Sequence, residues 1–158
     1  MTKKVNQGGK MNLIPGDIIL LKYGMIYDII RLPILLGIWI LSGFRKWGDK
    51  VHVELVWDII ERGYKALSLE PPVLQVVTRL FADIGITGYR LKDRPDNMNE
   101  LLWKWGNEKI LHQPYIIGIS TCGHIVEFYK ENFGIDMVPY PNMIEDYCKK
   151  SDKFVRVI

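Results

Sequence analysis

Covalent chemistry in this chain would have to come from two cysteines, Cys122 and Cys148, and three histidines, His52, His112 and His124. Cys122 follows the hydroxyl pair Ser120-Thr121 and opens a helical pattern in which Ile125, Val126, Tyr129 and Phe133 recur on one face. Leftover backbone N–H groups and the positive end of the dipole at a helix start favour a thiolate, the form of cysteine that attacks a carbonyl carbon. Such a nucleophile needs a base. His52 lies in the alternating run VHVELVW, sharing one face with Glu54 and Val56, while Val51, Val53, Leu55 and Trp57 take the other. If 51–57 and 64–70 pair as an antiparallel hairpin centred on Glu61, His52 faces Glu70 and Glu54 faces Ser68. Directly opposite residues have Cβ atoms about 4.5–5.5 Å apart, which lets a carboxylate hold one imidazole nitrogen and leaves the other to take a proton. A different register would give the third position to Glu54 or Ser68 instead of Glu70. The plainer alternatives are a buried packing cysteine and a structural strand histidine.

The remaining candidates carry less. His124, two residues from Cys122, points to the far side of a helix and is expected to cap or meet solvent. His112 falls in a loop without a nameable partner, and Cys148 is read as packing on a short helix. Two cysteines 26 residues apart and three scattered histidines match no zinc spacing, so no metal is expected. No glycine-rich phosphate loop follows a strand, since Gly8-Gly9 belongs to the N-terminal segment, and no cofactor is expected. With 21 basic against 18 acidic residues, a net charge of +3 and no basic stripe, nucleic acid is not an expected partner.

The elements that must position these residues are legible in outline. The 158 residues, 48% apolar and 25% charged, suit one domain with a real core. Residues 1–11 read as a flexible leader: charged, but without the apolar stretch of a signal peptide. Together with the sparse cysteines, this gives the expectation of a cytoplasmic product, of a kind that also fits a phage-encoded protein. Residues 12–158 form the expected domain. Asp17–Lys22 reads as a strand entered through Pro15-Gly16, and 25–43 as a helix. Its apolar centre LPILLGIWIL contains Pro33 and Gly37 and falls short of the ~20 apolar residues a span requires. That stretch is a buried helix or a candidate for peripheral membrane contact. Strands are expected at 51–57, at 64–70 (stopped by Pro71-Pro72), at 87–92 and at 153–158. Asn97 and Glu100 form a capping-box pattern ahead of a helix closed by Gly106; the helix after Cys122 closes at Gly134. Asn142 and Glu145 repeat the capping pattern before 143–150. The fold class is α+β.

The order Pro15-Gly16-Asp17-Ile-Ile-Leu, a long apolar helix, His52-Val53, Ser68-Leu-Glu70 and Thr121-Cys122 resembles the circularly permuted papain-like hydrolases. These are the YiiX/YaeF-like relatives of the NlpC-type cysteine amidases, with the histidine strand ahead of the cysteine helix. The resemblance spans roughly 13–158, including the late Pro141-Asn-Met-Ile segment. It implies a small antiparallel sheet or barrel packed against helices, with Cys122 as nucleophile, His52 as base and Glu70 as the third polar residue. It departs from the family in having Glu54 where a small residue is common, and Gly123-His124-Ile125 where Ser-Glu-Leu is frequent. The run Cys122-Gly-His124-Ile-Val126 is similar instead to the Cys-Glu-His-Phe-Val signature of the lecithin:retinol acyltransferase-like branch. The expected function is therefore a thiol hydrolase, an amidase or peptidase working through a thioester on a peptide, amide or lipid-ester substrate. The alternatives are a lipid-directed acyltransferase or phospholipase using the same residues, and a non-catalytic binding module on the same scaffold.

Overall fold

Apolar runs and alternation in the first half of the chain produce strands, and the 3.6-residue stripes of the second half produce helices. The computed structural model describes residues 12–22, 33, 36–37, 39–41, 50, 52–70, 73–80, 85–110, 114 and 122–158. Its strands are β1 (Ile18–Lys22), β2 (His52–Ile60), β3 (Gly63–Glu70), β4 (Val73–Leu80), β5 (Gly85–Leu91) and β6 (Phe154–Arg156). Its helices are α1 (Met98–Trp105), α2 (Glu127–Phe133) and α3 (Pro141–Lys150); a 3-10 turn, Cys122–Val126, runs directly into α2. The six strands form one sheet in the order β4-β3-β2-β1-β5-β6, with every neighbouring pair antiparallel. The fold is mixed α+β.

β1 lies inside the sheet and is apolar on both faces, which is why its sequence does not alternate. Ile18 and Leu20 join Val53, Leu55, Leu67 and Tyr89 in a core completed by residues of all three helices, among them Leu102, Phe128 and Ile144. Ile19 and Leu21 turn the other way, onto Val56, Tyr64 and Ala66. The turn that feeds β1 is tied down at several points. Gly16 adopts φ +87°, a conformation that favours glycine. Its N–H donates to Val56 O at 2.8 Å, and its carbonyl accepts from the buried Tyr129 hydroxyl. The Asp17 carboxylate accepts from Ile14 N–H at 2.9 Å and from Arg90 Nε and Nη2 at 2.9 and 2.8 Å. Pro15-Gly16-Asp17 thus joins β1, β2, β5 and α2.

Several expectations change. β2 runs on to Ile60, and Pro71-Pro72 separates β3 from a further strand, β4, that sequence reading did not foresee. Asn97 makes no side-chain capping bond; Gly106 has helical dihedrals and continues into a π-helical turn, Gly106–Ile110, instead of ending the helix. α3 starts at Pro141, so Asn142 lies inside the helix and does not cap it. Proline suits the first helical turn, where its missing N–H has no intrahelical partner to lose. β6 covers only Phe154–Arg156 of the expected 153–158. Of the expected helix 25–43, residues 33, 36–37 and 39–41 are helical, and the rest lies outside the described residues, as do the leader 1–11 and the run 115–119. Among the described residues, no helix is long and apolar enough to cross a membrane.

Candidate active site

Cys122 is the first residue of the 3-10 turn leading into α2 and is 7% exposed. Of the stripe behind it, Ile125, Val126 and Tyr129 are buried in the main core and Phe133 is partly buried against it; Phe128, outside that stripe, is buried as well. Gly134 ends α2 at φ +64°. Gly123 has a different reason for being glycine: an added Cβ would fall 1.8 Å from the Pro139 carbonyl oxygen. The segment ahead of α3 presses directly on the backbone beside the cysteine. That contact leaves no room for a side chain directly after Cys122.

His52 is the first residue of β2, is 5% exposed and pairs with Leu21 of β1. Its side chain is hydrogen-bonded to that of Cys122, so the structure brings these two residues together across the sheet end. His52 Nε2 lies 2.6 Å from Ser68 Oγ and 3.5 Å from Glu54 Oε1. The hairpin register matches the count from sequence where it matters here: Glu54 faces Ser68, Leu55 faces Leu67 and Val56 faces Ala66. A bulge between Val56 and Asp58 then shifts the pairing by one. Glu70 ends β3, paired with Val73 of β4; its side chain lies outside the described residues.

Glu54 is fully buried and surrounded by donors. Arg79 of β4 donates to Oε1 through Nε at 2.9 Å and Nη2 at 2.5 Å, and the Tyr64 hydroxyl of β3 donates to Oε2 at 3.3 Å. Neither Arg79 nor Tyr64 stood out in the sequence. One signal was available: Arg79 is the only charged residue of the strand VLQVVTRL.

The electrostatics follow from this arrangement. Burial by itself pushes the His52 imidazole towards neutrality. The Cys122 sulfur, and after it the Glu54 carboxylate, reverse that, and the ring is raised from 6.5 to about 10. Glu54 is also penalised by burial, yet its hydrogen bonds from His52 and Arg79 and their positive charges hold it below the ordinary carboxylate range. The Tyr64 hydroxyl is pushed well up, by burial first and by the charge of Glu54 second. The site therefore favours an imidazolium between a sulfur and an ionised carboxylate. Cys148 behaves differently: burial and Glu145 push its thiol up to about 12. His124, within the 3-10 turn, is partly buried. Among the described residues, no group of three or more His, Cys, Asp or Glu side chains is placed to hold a metal ion.

Fold and site together define an α+β protein with a buried cysteine–histidine pair backed by a serine and a carboxylate. Set against models of known protein families and against curated proteins, the sequence finds no match.

Proposed function

We propose that this chain is a cysteine-dependent hydrolase, an amidase or peptidase of the permuted papain-like type. The observation that carries the reading is the buried hydrogen bond between Cys122 and His52, with the ring's Nε2 beside Ser68 and Glu54. The chain order supports it as well, since the histidine strand precedes the cysteine turn. In the proposed reaction the Cys122 thiolate attacks the substrate carbonyl carbon, forming a carbon–sulfur bond and an oxyanion. The backbone N–H of Cys122 is the candidate donor to that oxyanion. Collapse of the intermediate breaks the bond to the leaving amine or alcohol, which takes the proton held by His52. A water molecule, deprotonated by His52, then hydrolyses the thioester and returns the thiol. Ser68 and Glu54 orient the ring, a role the sequence resemblance gives to Glu70. No cofactor enters this scheme, and the proposed compartment is the cytoplasm.

The test is alkylation of Cys122 and Cys148 by iodoacetamide across pH, read by mass spectrometry in the parent and in His52→Ala. Rapid labelling of Cys122 below neutral pH, slowed in His52→Ala, is expected, because a free thiol titrates near ~8.5. Screening of amides and esters follows, with Cys122→Ala as the inactive control. Labelling of Cys122 that ignores His52 would overturn the reading and leave the binding module in its place.

A second reading, lipid acyl transfer or phospholipid hydrolysis by the same residues, is favoured by one observation. Leu36, Ile40 and Leu41, on the described part of the apolar helix, are 43%, 48% and 44% exposed. Apolar side chains in that position suit an interfacial contact. Sedimentation with anionic and neutral liposomes distinguishes the two: absence of vesicle binding, with no activity on phospholipid esters, rules out the lipid reading.

A further inference from the structure

We propose that Arg79, on the edge strand β4, is a positioning residue of the Cys122–His52 site, acting through Glu54. The inference rests on the proposed function and extends it to a residue outside the motifs of the resemblance. Glu54 cannot keep its charge unaided. It is fully buried, and an isolated carboxylate in an apolar interior takes up a proton instead of staying ionised. Among the described residues, three groups face it, one from each of three adjacent strands: His52 of β2, the Tyr64 hydroxyl of β3 and the Arg79 guanidinium of β4. Tyr64 is neutral, and His52 is the group whose protonation is in question. Arg79 is thus the permanent cation of the set, since a guanidinium does not lose its proton in a protein.

The geometry singles out the same oxygen. Both Arg79 contacts, Nε at 2.9 Å and Nη2 at 2.5 Å, fall on Oε1, the oxygen that stands 3.5 Å from His52 Nε2. Tyr64 takes Oε2 at 3.3 Å. With both oxygens held, the carboxylate is fixed in orientation and stays ionised beside the imidazole. Arg79 is in register with Tyr64 across the β3–β4 ladder, so the grip is set by strand pairing and does not depend on a loop. The grip of Arg79 is on the carboxylate, not on the nucleophile. Its effect on Cys122 must pass through Glu54 and His52.

The test is the pH profile of Cys122 alkylation by iodoacetamide, a neutral reagent, in Arg79→Met, Arg79→Lys, Glu54→Gln and the Arg79→Met/Glu54→Gln double variant. Thermal melting is measured alongside. Arg79→Met is expected to move the profile upward and slow labelling at pH 6 by roughly tenfold, the effect of moving the pair by about one pH unit. Arg79→Lys keeps the charge and is expected to fall between parent and Arg79→Met. In the Glu54→Gln background, Arg79→Met is expected to add little, as befits two residues acting as one unit. If Arg79→Met fails to fold, Arg79→Gln, which can still hydrogen-bond Glu54 but carries no charge, is read in the same way. A folded variant with a lowered melting temperature and the parent's profile would reduce Arg79 to a purely structural role and overturn the proposal. Full additivity of the two substitutions would overturn it as well. The failure of the underlying reading looks different: in that case His52→Ala itself would leave the profile unmoved.

Discussion

Replacing Cys122 by alanine should change the titration of a residue it does not adjoin in sequence. In the parent, His52 is raised from 6.5 to about 10 against the opposing effect of its own burial, and the Cys122 sulfur is the largest influence working upward. The difference corresponds to about 5 kcal/mol between the protonated and neutral ring. Two unit charges about 4 Å apart, at an effective dielectric of about 20, interact by about 4 kcal/mol. The sulfur is therefore large enough to account for most of the rise, with Glu54 supplying a smaller part. Cys122→Ala should lower the His52 midpoint by about two to three pH units, and Glu54→Gln should lower it less. The assay is NMR of the imidazole Cε1–H across pH 5 to 11 in protein labelled at histidine, with His112 and His124 assigned by substitution. The sign also predicts stability. A histidine raised in the folded state contributes fully below about pH 6.5, and the contribution fades as pH climbs through about 10. Denaturant midpoints should fall over that window in the parent and change less in His52→Ala. A parent midpoint near 6.5, or one that Cys122→Ala leaves in place, would refute the electrostatic reasoning.

Other perturbations have equally definite outcomes. Gly123→Ala puts a methyl 1.8 Å from the Pro139 carbonyl oxygen; a loss of about 3 kcal/mol on denaturant unfolding is expected, together with altered Cys122 labelling. Cys148, 2% exposed with its thiol pushed up to about 12, should stay unalkylated at neutral pH in the native protein and react only in denaturant. Tyr129→Phe removes the hydroxyl that donates to the Gly16 carbonyl and should cost about 1–2 kcal/mol in the same unfolding assay.

How much of this could be read from the residues alone varied with the physics involved. Alternation located β2, and period-3.6 stripes located α1 and α2, because one face of each had to be buried; β1, buried on both faces, showed only as a short apolar run after Pro15-Gly16. The hairpin count placed Glu54 opposite Ser68, as observed, although it assumed a turn centred on Glu61. The observed turn is the two-residue Glu61-Arg62, and the bulge near Trp57 makes up the difference. Counting opposite partners pointed from His52 to Glu70. A histidine ring is long enough to reach diagonally, however, and the described contacts are Ser68 across the ladder and Glu54 on its own strand. β4 is hard to see in the sequence because Pro71-Pro72 marks the end of a strand without showing that another begins directly after it. The capping patterns at Asn97 and Asn142 misled, because a sequence box does not oblige the side chain to turn back onto its helix. The long-range partners of Glu54 were out of reach of any local pattern.

Among the described residues, the hydrogen-bonded set around Glu54 comes from 52–80, three consecutive strands joined by short connections, whereas the sulfur arrives seventy residues after His52. The base and its charged supports are therefore all in the chain before Cys122 is added, and their strand pairings are local ones. The sulfur meets its imidazole only when the last third of the chain docks onto the sheet. On the proposed reading, activation of the nucleophile is thus a report that the C-terminal helices have packed, and an unfinished or truncated chain carries an ordinary thiol or none at all.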